Sequence, residues 1–199
     1  MYVARVLYPV EVLGPGKRVG IWFDGCPRRC KGCSNPELWD FMERYKTTPE
    51  TIYKLINELS KQHEIDGFTL TGGDPIFQAK DMQKLISLIK KISNDIIVYT
   101  GYKKEEIEQQ YLKDVTLLID GEYIEELNDN SFLKGSSNQQ TYILDENKQQ
   151  KYESYLEGGE NQIQNFFTSD GVVSVGIHRV QFSKALNEDI VKEGVEKNG

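Results

Sequence analysis

The sequence predicts an α/β fold: an open, partial (βα) barrel over residues 1–144, followed by a mixed α/β extension over residues 145–199. Three observations lead there. Short β-prone runs alternate with amphipathic helical stretches, which is the pattern of βαβ units in a mainly parallel sheet. Glycine-rich turns follow several of the β-prone runs and separate them from what comes next. Length then selects among α/β architectures, because a closed eight-unit barrel needs about 250 residues. At roughly 30 residues per unit, residues 19–144 cannot supply eight.

The elements follow in chain order. Residues 2–13 are apolar and contain a strand or a lead-in, and Gly14-Pro15-Gly16 breaks them through unusual and fixed dihedrals. Val-Gly-Ile-Trp-Phe at 19–23 is a short buried strand. Thr48 and Pro49 read as the cap and first position of a helix whose apolar face is Ile52, Leu55, Ile56 and Leu59. A strand at 67–71 runs into the turn Gly72-Gly73-Asp74-Pro75. A second helix carries Met82, Leu85, Ile86, Ile89 and Ile92. A strand at 95–100, a helix at 103–112 and strands at 115–119 and 140–144 complete the alternation. In the extension, 145–156 reads as a helix, 171–176 and 178–182 alternate like the two strands of a hairpin, and the last residues are charged.

All three cysteines fall in Asp24-Gly25-Cys26-Pro27-Arg28-Arg29-Cys30-Lys31-Gly32-Cys33-Ser34-Asn35, at the end of the 19–23 strand. Open α/β sheets and barrels place their chemistry at that end of a strand. The spacing C-x3-C-x2-C supplies thiolates for three corners of a cubane iron–sulfur cluster, one fewer than the usual four. An iron without a protein ligand is open to a small molecule, as on any catalytic metal. Other readings explain less. Buried structural cysteines are not expected clustered among Pro, Gly and charge. Structural zinc wants a fourth ligand, and neither His63 nor His178 is near in sequence. Disulfides would leave an odd thiol with no secretory signal ahead of it.

Composition agrees with a soluble, reduced, cytoplasmic protein. Mean hydropathy is -0.54 and no apolar run is long enough to span a membrane. A formal charge of -7 excludes a general nucleic-acid binder, which needs a basic face. Lys17, Arg18, Arg28, Arg29 and Lys31 nonetheless crowd the cysteine segment. They are either a solvated basic loop or an attraction for an acidic electron donor.

Together, Gly14-Pro15-Gly16-Lys17-Arg18, Gly25-Cys26, Cys30, Cys33 and Asn35 resemble the signature of the radical S-adenosylmethionine (SAM) enzymes that activate glycyl radical enzymes. Gly72-Gly73-Asp74-Pro75, Tyr99-Thr100-Gly101-Tyr102, Asp120-Gly121 and Gly135-Ser136-Ser137-Asn138-Gln139 are most similar to the subgroup acting on anaerobic ribonucleoside-triphosphate reductase. The resemblance covers about residues 7–144. It implies a radical SAM oxidoreductase in which Cys26, Cys30 and Cys33 ligate a 4Fe-4S cluster and SAM chelates the open iron. It further implies SAM contacts from Gly32, Cys33, Ser34, Gly72, Gly73, Asp74 and Thr100. Arg18, Asp120, Ser137 and Asn138 become candidates for touching SAM or the partner protein. The cofactor pair then carries the chemistry, and no side-chain acid–base pair is required. A low-potential donor such as flavodoxin or ferredoxin is the implied source of electrons.

For most of these residues an ordinary role competes. Asp74 can stabilise its own turn, and Thr100, Asp120, Ser137 and Asn138 can be caps. Tyr99 and Tyr102 read as packing residues and His63 as a surface residue. Two positions depart from the family pattern, Trp22 where Phe is usual and Lys134 where Arg is common. Two alternatives stay open: a radical SAM enzyme acting on another glycyl radical protein or on a small molecule, as 7-carboxy-7-deazaguanine synthase does, and a non-catalytic iron–sulfur or metal-binding module.

Overall fold

The computed structural model of the chain describes residues 1–168 and 171–179. Strands β1 (Val3–Val10), β2 (Arg18–Phe23), β3 (Gly67–Gly72), β4 (Ile96–Tyr99), β5 (Leu117–Asp120) and β6 (Gln140–Ile143) lie in one sheet in chain order. β2 to β5 pair in parallel, while β1 on β2 and β6 on β5 are antiparallel. The protein is therefore a mixed α/β fold with its parallel strands at the centre. Every residue of β2 and of β5 is buried, which is why both runs are apolar on both faces rather than alternating.

Helix α1 (Pro49–Ser60) begins as its sequence dictates, with the Thr51 amide donating to Thr48 Oγ1 at 3.2 Å. Such a cap stabilises by about 1 kcal/mol. Ile52 and Ile56 are buried, whereas Leu55 is 56% exposed and lies off the apolar stripe. Helix α2 (Ala79–Ile89) buries Met82, Leu85, Ile86 and Ile89 against α1 and the sheet, each such side chain contributing about 1.5–3 kcal/mol. Among the described residues no helix is long and apolar enough to cross a membrane.

Two expectations need correction. Residues 103–112 do not form one helix: a 3-10 turn (Lys104–Glu106) and helix α3 (Gln109–Leu112) are separated by extended backbone at Ile107 and Glu108. That break lets Ile107 enter the core at 6% exposure, and its burial outweighs helical continuity. In the extension, a 3-10 turn (Glu146–Lys148) leads into helix α4 (Gln149–Glu157), and β7 (Ile163–Thr168) pairs antiparallel with β8 (Gly171–Gly176). The partner of 171–176 is thus 163–168. Most of the 178–182 strand, like the charged last residues, lies outside the described residues.

A buried charge cluster fixes the amino-terminal ends of the parallel strands. The Arg18 side chain is fully buried and donates to Thr69 Oγ1 (2.9 Å), Pro15 O (3.1 Å), Phe68 O (2.7 Å), Asp95 O (2.9 Å) and Asp95 Oδ1 (3.0 Å). From α4, the fully buried Tyr152 donates its hydroxyl to Asp95 Oδ1, and Lys151 Nζ reaches Asp95 Oδ2 at 2.7 Å. Arg18 is therefore placed at the opposite end of β2 from the cysteine loop, with its side chain engaged within the chain. Every guanidinium nitrogen has an acceptor, which is what a buried arginine requires.

Burial alone would lift the Asp95 carboxyl, but Arg18, then Lys151 and Tyr152, hold it below the usual carboxylate range. Removing one partner of a buried pair strands the other charge at a cost of about 3–5 kcal/mol. Asp95→Ala is expected to lose that much in urea unfolding at pH 7. Because the folded pKa lies below the unfolded value of about 3.9, this contribution is complete above about pH 4 and fades as pH falls through the folded value. The gap between wild type and variant should then narrow in acid; equal stability at pH 7 would refute the assignment.

Candidate functional site

β2 and β3 deliver two turns to the same point at their carboxyl ends. After Phe23 the chain turns at Gly25, whose φ is 93°, and after β3 it turns at Gly72, whose φ is 104°. Gly73 N donates to Phe23 O at 2.7 Å and Asp74 N to Gly25 O at 2.9 Å. No side chain fits between these backbones: a Cβ on Gly72 would stand 2.6 Å from Phe23 N, and one on Gly73 2.5 Å from Gly25 O. The glycines are required for this close approach. From the other side, Gly25 N donates to Leu38 O (2.9 Å) and Cys26 N to Trp39 O (2.8 Å), closing the cysteine loop onto the segment that follows it.

The result is a cavity of about 180 Å³ lined by Cys26, Cys30, Cys33, Ser34, Gly72, Gly73, Asp74 and Thr100. Eight of the residues singled out from the sequence therefore meet in one place. Gly32, Asp120, Ser137 and Asn138 do not line it. Gly32 is exposed with a φ of 71° and its absent Cβ would meet Glu125. Asp120 Oδ2 accepts from Lys104 N at 2.6 Å, Ser137 is exposed with its amide on Leu127 O, and Asn138 Nδ2 donates to Glu122 O at 2.8 Å.

Sequence reasoning missed Tyr123, and it quoted Gly135 and Gln139 in a motif without giving either a role; all three line the cavity. Gln139 organises its loop, accepting from Gly135 N at 2.7 Å and donating to Gly121 O at 2.8 Å. Residues 174–178, which carried no motif, line the same cavity. Trp22 lines it too, and the space for its larger ring comes from Gly20, where a Cβ would stand 2.4 Å from the indole.

The basic residues of the loop are neutralised by acids of the chain itself. Arg28 bridges to Glu106 (3.2 Å) and Glu122 (3.9 Å) and lies over the Tyr102 ring, Arg29 pairs with Asp40, and Lys31 reaches Glu125 (3.0 Å) and Glu126 (2.8 Å). Exposed pairs of this kind contribute little each. Through Glu122, Glu125 and Glu126 they latch the cysteine loop to the segment after β5.

The donor set fits an iron–sulfur cluster. Among the described residues no three His, Cys, Asp or Glu side chains are gathered to hold a single metal ion; a cubane instead takes each thiolate on a different iron. Burial raises all three thiols above their usual value, and with the charge of Glu122 it pushes Cys30 up to about 11. Thiols in that state become good ligands once a metal ion reverses the local charge balance. The buried Trp39 indole N–H lies beside Cys33 and pulls its thiol back down against the effect of burial.

Fold and site together define an α/β protein with a three-cysteine loop at the carboxyl ends of its parallel strands. A family model described as a 4Fe-4S single cluster domain matches residues 12–142. The chain is 38% identical over 142 residues to the anaerobic ribonucleoside-triphosphate reductase-activating protein of Enterobacteria phage T4, a match covering 68% of this chain and 90% of that protein. Proteins with the same name from Escherichia coli K12 and Haemophilus influenzae are 32% identical over 148 residues (69% and 96% covered) and 34% identical over 143 residues (66% and 92% covered). Among solved structures, QueE from Escherichia coli aligns with a TM-score of 0.42 at 17% identity, over 58% of this chain and 68% of that one. The chain belongs to the 4Fe-4S single cluster family and, within it, to the anaerobic ribonucleoside-triphosphate reductase-activating proteins.

Asp74 shows how the cavity floor is held. Its carboxylate is 1% exposed and accepts from Ile76 N (2.9 Å), Thr100 Oγ1 (2.9 Å) and Gly101 N (2.9 Å), tying the end of β3 to the end of β4. Burial pushes this carboxyl up to about 6, although Gly101 N, the Thr100 hydroxyl, Ile76 N and Arg28 pull it back. With the folded pKa above the unfolded one, the group favours folding most below about pH 4 and loses that advantage as pH rises through about 6. Thr100→Val removes a donor from a buried carboxylate and is expected to cost about 1–3 kcal/mol. It should also move the Asp74 carboxyl titration further upward, as read by carbon-13 NMR on the cluster-free chain; an unmoved titration would contradict the contact.

Proposed function

We propose that the chain is a radical SAM activase for an anaerobic ribonucleoside-triphosphate reductase, which it converts to its glycyl radical form. One observation carries this reading: three cysteines and a Gly-Gly-Asp-Pro turn, distant in sequence, share one cavity at the carboxyl ends of adjacent parallel strands. The activating-protein relatives supply the partner class by their names.

In this proposal Cys26, Cys30 and Cys33 hold three irons of a 4Fe-4S cluster, leaving the fourth for the amino and carboxylate groups of SAM. When bound, the pair supplies one-electron cleavage of a carbon–sulfur bond and a carbon radical that takes a hydrogen atom from a glycine Cα of the partner. The residues of the chain bind, orient and shield. The bare backbones of Gly72 and Gly73 let the end of β3 lie against Phe23 and Gly25, which brings this turn to the cavity beside the cysteines, where its main chain can meet a ligand ammonium. Asp74 and Thr100 fix that backbone by the contacts described above, and Ser34 borders the cavity next to Cys33. Gly32, Asp120, Ser137 and Asn138 act around this core rather than in it, and Arg18 anchors the far end of β2. The central parallel strands form the wall of a partial barrel, residues 1–144 carry the cluster and cofactor sites, and residues 145–199 are an addition. Electrons come from a low-potential donor of the flavodoxin or ferredoxin kind in a reduced, cytoplasmic setting.

Reconstituted anaerobically with iron and sulfide and reduced with dithionite, the chain should convert SAM to 5′-deoxyadenosine, and Cys30→Ala should not. Adding the reductase should produce a glycyl radical doublet in electron paramagnetic resonance. SAM cleavage with no doublet would remove the reductase as partner; no cleavage by chain with a complete cluster and the reductase present would remove the activase reading.

A further inference from the structure

The carboxy-terminal hairpin does not stand apart from the cavity. One face of it is glued to the sheet: Val175, 2% exposed, packs with Val10, Leu13, Trp22 and Leu38, and Phe166 and Val173 join the same cluster. Gln164 reinforces the seat, donating to Pro9 O at 2.8 Å and accepting from Glu11 N at 3.0 Å. Past β8, Asn128 Nδ2 donates to His178 O at 3.0 Å, holding the chain near the loop that follows β5. Between these anchors Ser174, Val175, Gly176, Ile177 and His178 line the cavity shared by the cysteines and the glycine turn.

This segment lies beyond residues 12–142, the part of the chain that the family model matches. The polar side chains it brings to the lining are Ser174 and His178, both half-buried, with Ser174 Oγ and His178 Nε2 3.0 Å apart. A hydroxyl and an imidazole held together in this way make a compact donor–acceptor pair, suited to a ligand rich in amino, carboxylate and hydroxyl groups.

Resting on the activase reading above, we propose that the β7–β8 hairpin is an added wall of the SAM pocket, with Ser174 and His178 the binding side chains that touch the ligand. The hairpin seats itself on the sheet through Val175, Phe166 and Val173. Phe167, 86% exposed, and Val172, 60% exposed, do not line the cavity and so give an internal control.

The test measures SAM binding to the full, anaerobically reconstituted chain by equilibrium dialysis, together with hydrogen–deuterium exchange of peptides spanning 163–178. SAM is expected to slow exchange in those peptides. His178→Ala should weaken SAM binding about 3–10-fold, the size of one lost hydrogen bond, with iron content and circular dichroism unchanged. His178→Gln, which keeps a hydrogen-bonding side chain, should recover part of the loss, and Phe167→Ser should bind as the wild type does. SAM binding by the wild type with unaltered hairpin exchange, and an equal affinity in His178→Ala, would overturn the hairpin's role alone. A wild type with a complete cluster that does not bind SAM would overturn the activase reading and this proposal with it.

Discussion

Where the end of β3 meets the end of β2 there is no room for a Cβ on Gly72 or Gly73, and the site depends on that constraint. Gly72 and Gly73 give β3 an end that lies directly on the end of β2, with Gly73 N on Phe23 O and Asp74 N on Gly25 O. The cysteine loop leaves from this junction and is closed by Leu38 and Trp39. The three cysteines are thus positioned by main chain, which has fewer ways to relax than side chains do. A buried carboxylate then locks the junction to β4, so three consecutive parallel strands terminate at one rigid floor.

The opposite end of the sheet is built on different chemistry. There Arg18, Asp95, Tyr152 and Lys151 satisfy one another in a buried cluster that spans β2, the approach to β4 and helix α4. A buried ion pair is weak evidence for net stability but strong evidence for a fixed arrangement, since any displacement strands a charge. Through Tyr152 the extension is fastened at this end, and through Val175 at the other. Residues added after the sheet are therefore tied to both the foundation and the rim of the site.

Much of this was legible in the sequence where the local signal and the tertiary outcome agree. The alternation of apolar runs located the strands, Thr48 and Pro49 located α1, and the cysteine spacing with Gly72-Gly73-Asp74-Pro75 located the cavity. The misses have physical reasons. Residues 103–112 have helical composition, but burial of Ile107 breaks the helix, and nothing local announces that competition. Arg18 belongs to a recognisable motif, yet its role depends on Asp95, 77 residues away. Tyr123 and residues 174–178 carry no pattern of their own; only packing brings them to the cavity. Asp74 was open to two readings, and its three backbone and hydroxyl donors show how thoroughly the turn employs it.

Gln164 has a consequence outside the site. β1 is an edge strand, and Pro9 O and Glu11 N are backbone groups of its end that an incoming strand would seek. The Gln164 amide meets both, donating to one and accepting from the other. A single side chain thereby imitates one residue of a seventh strand without extending the sheet. Unpaired edges are where sheets of separate molecules join edge to edge. The extension thus blunts one end of this edge, where these two hydrogen bonds are no longer open to a second molecule.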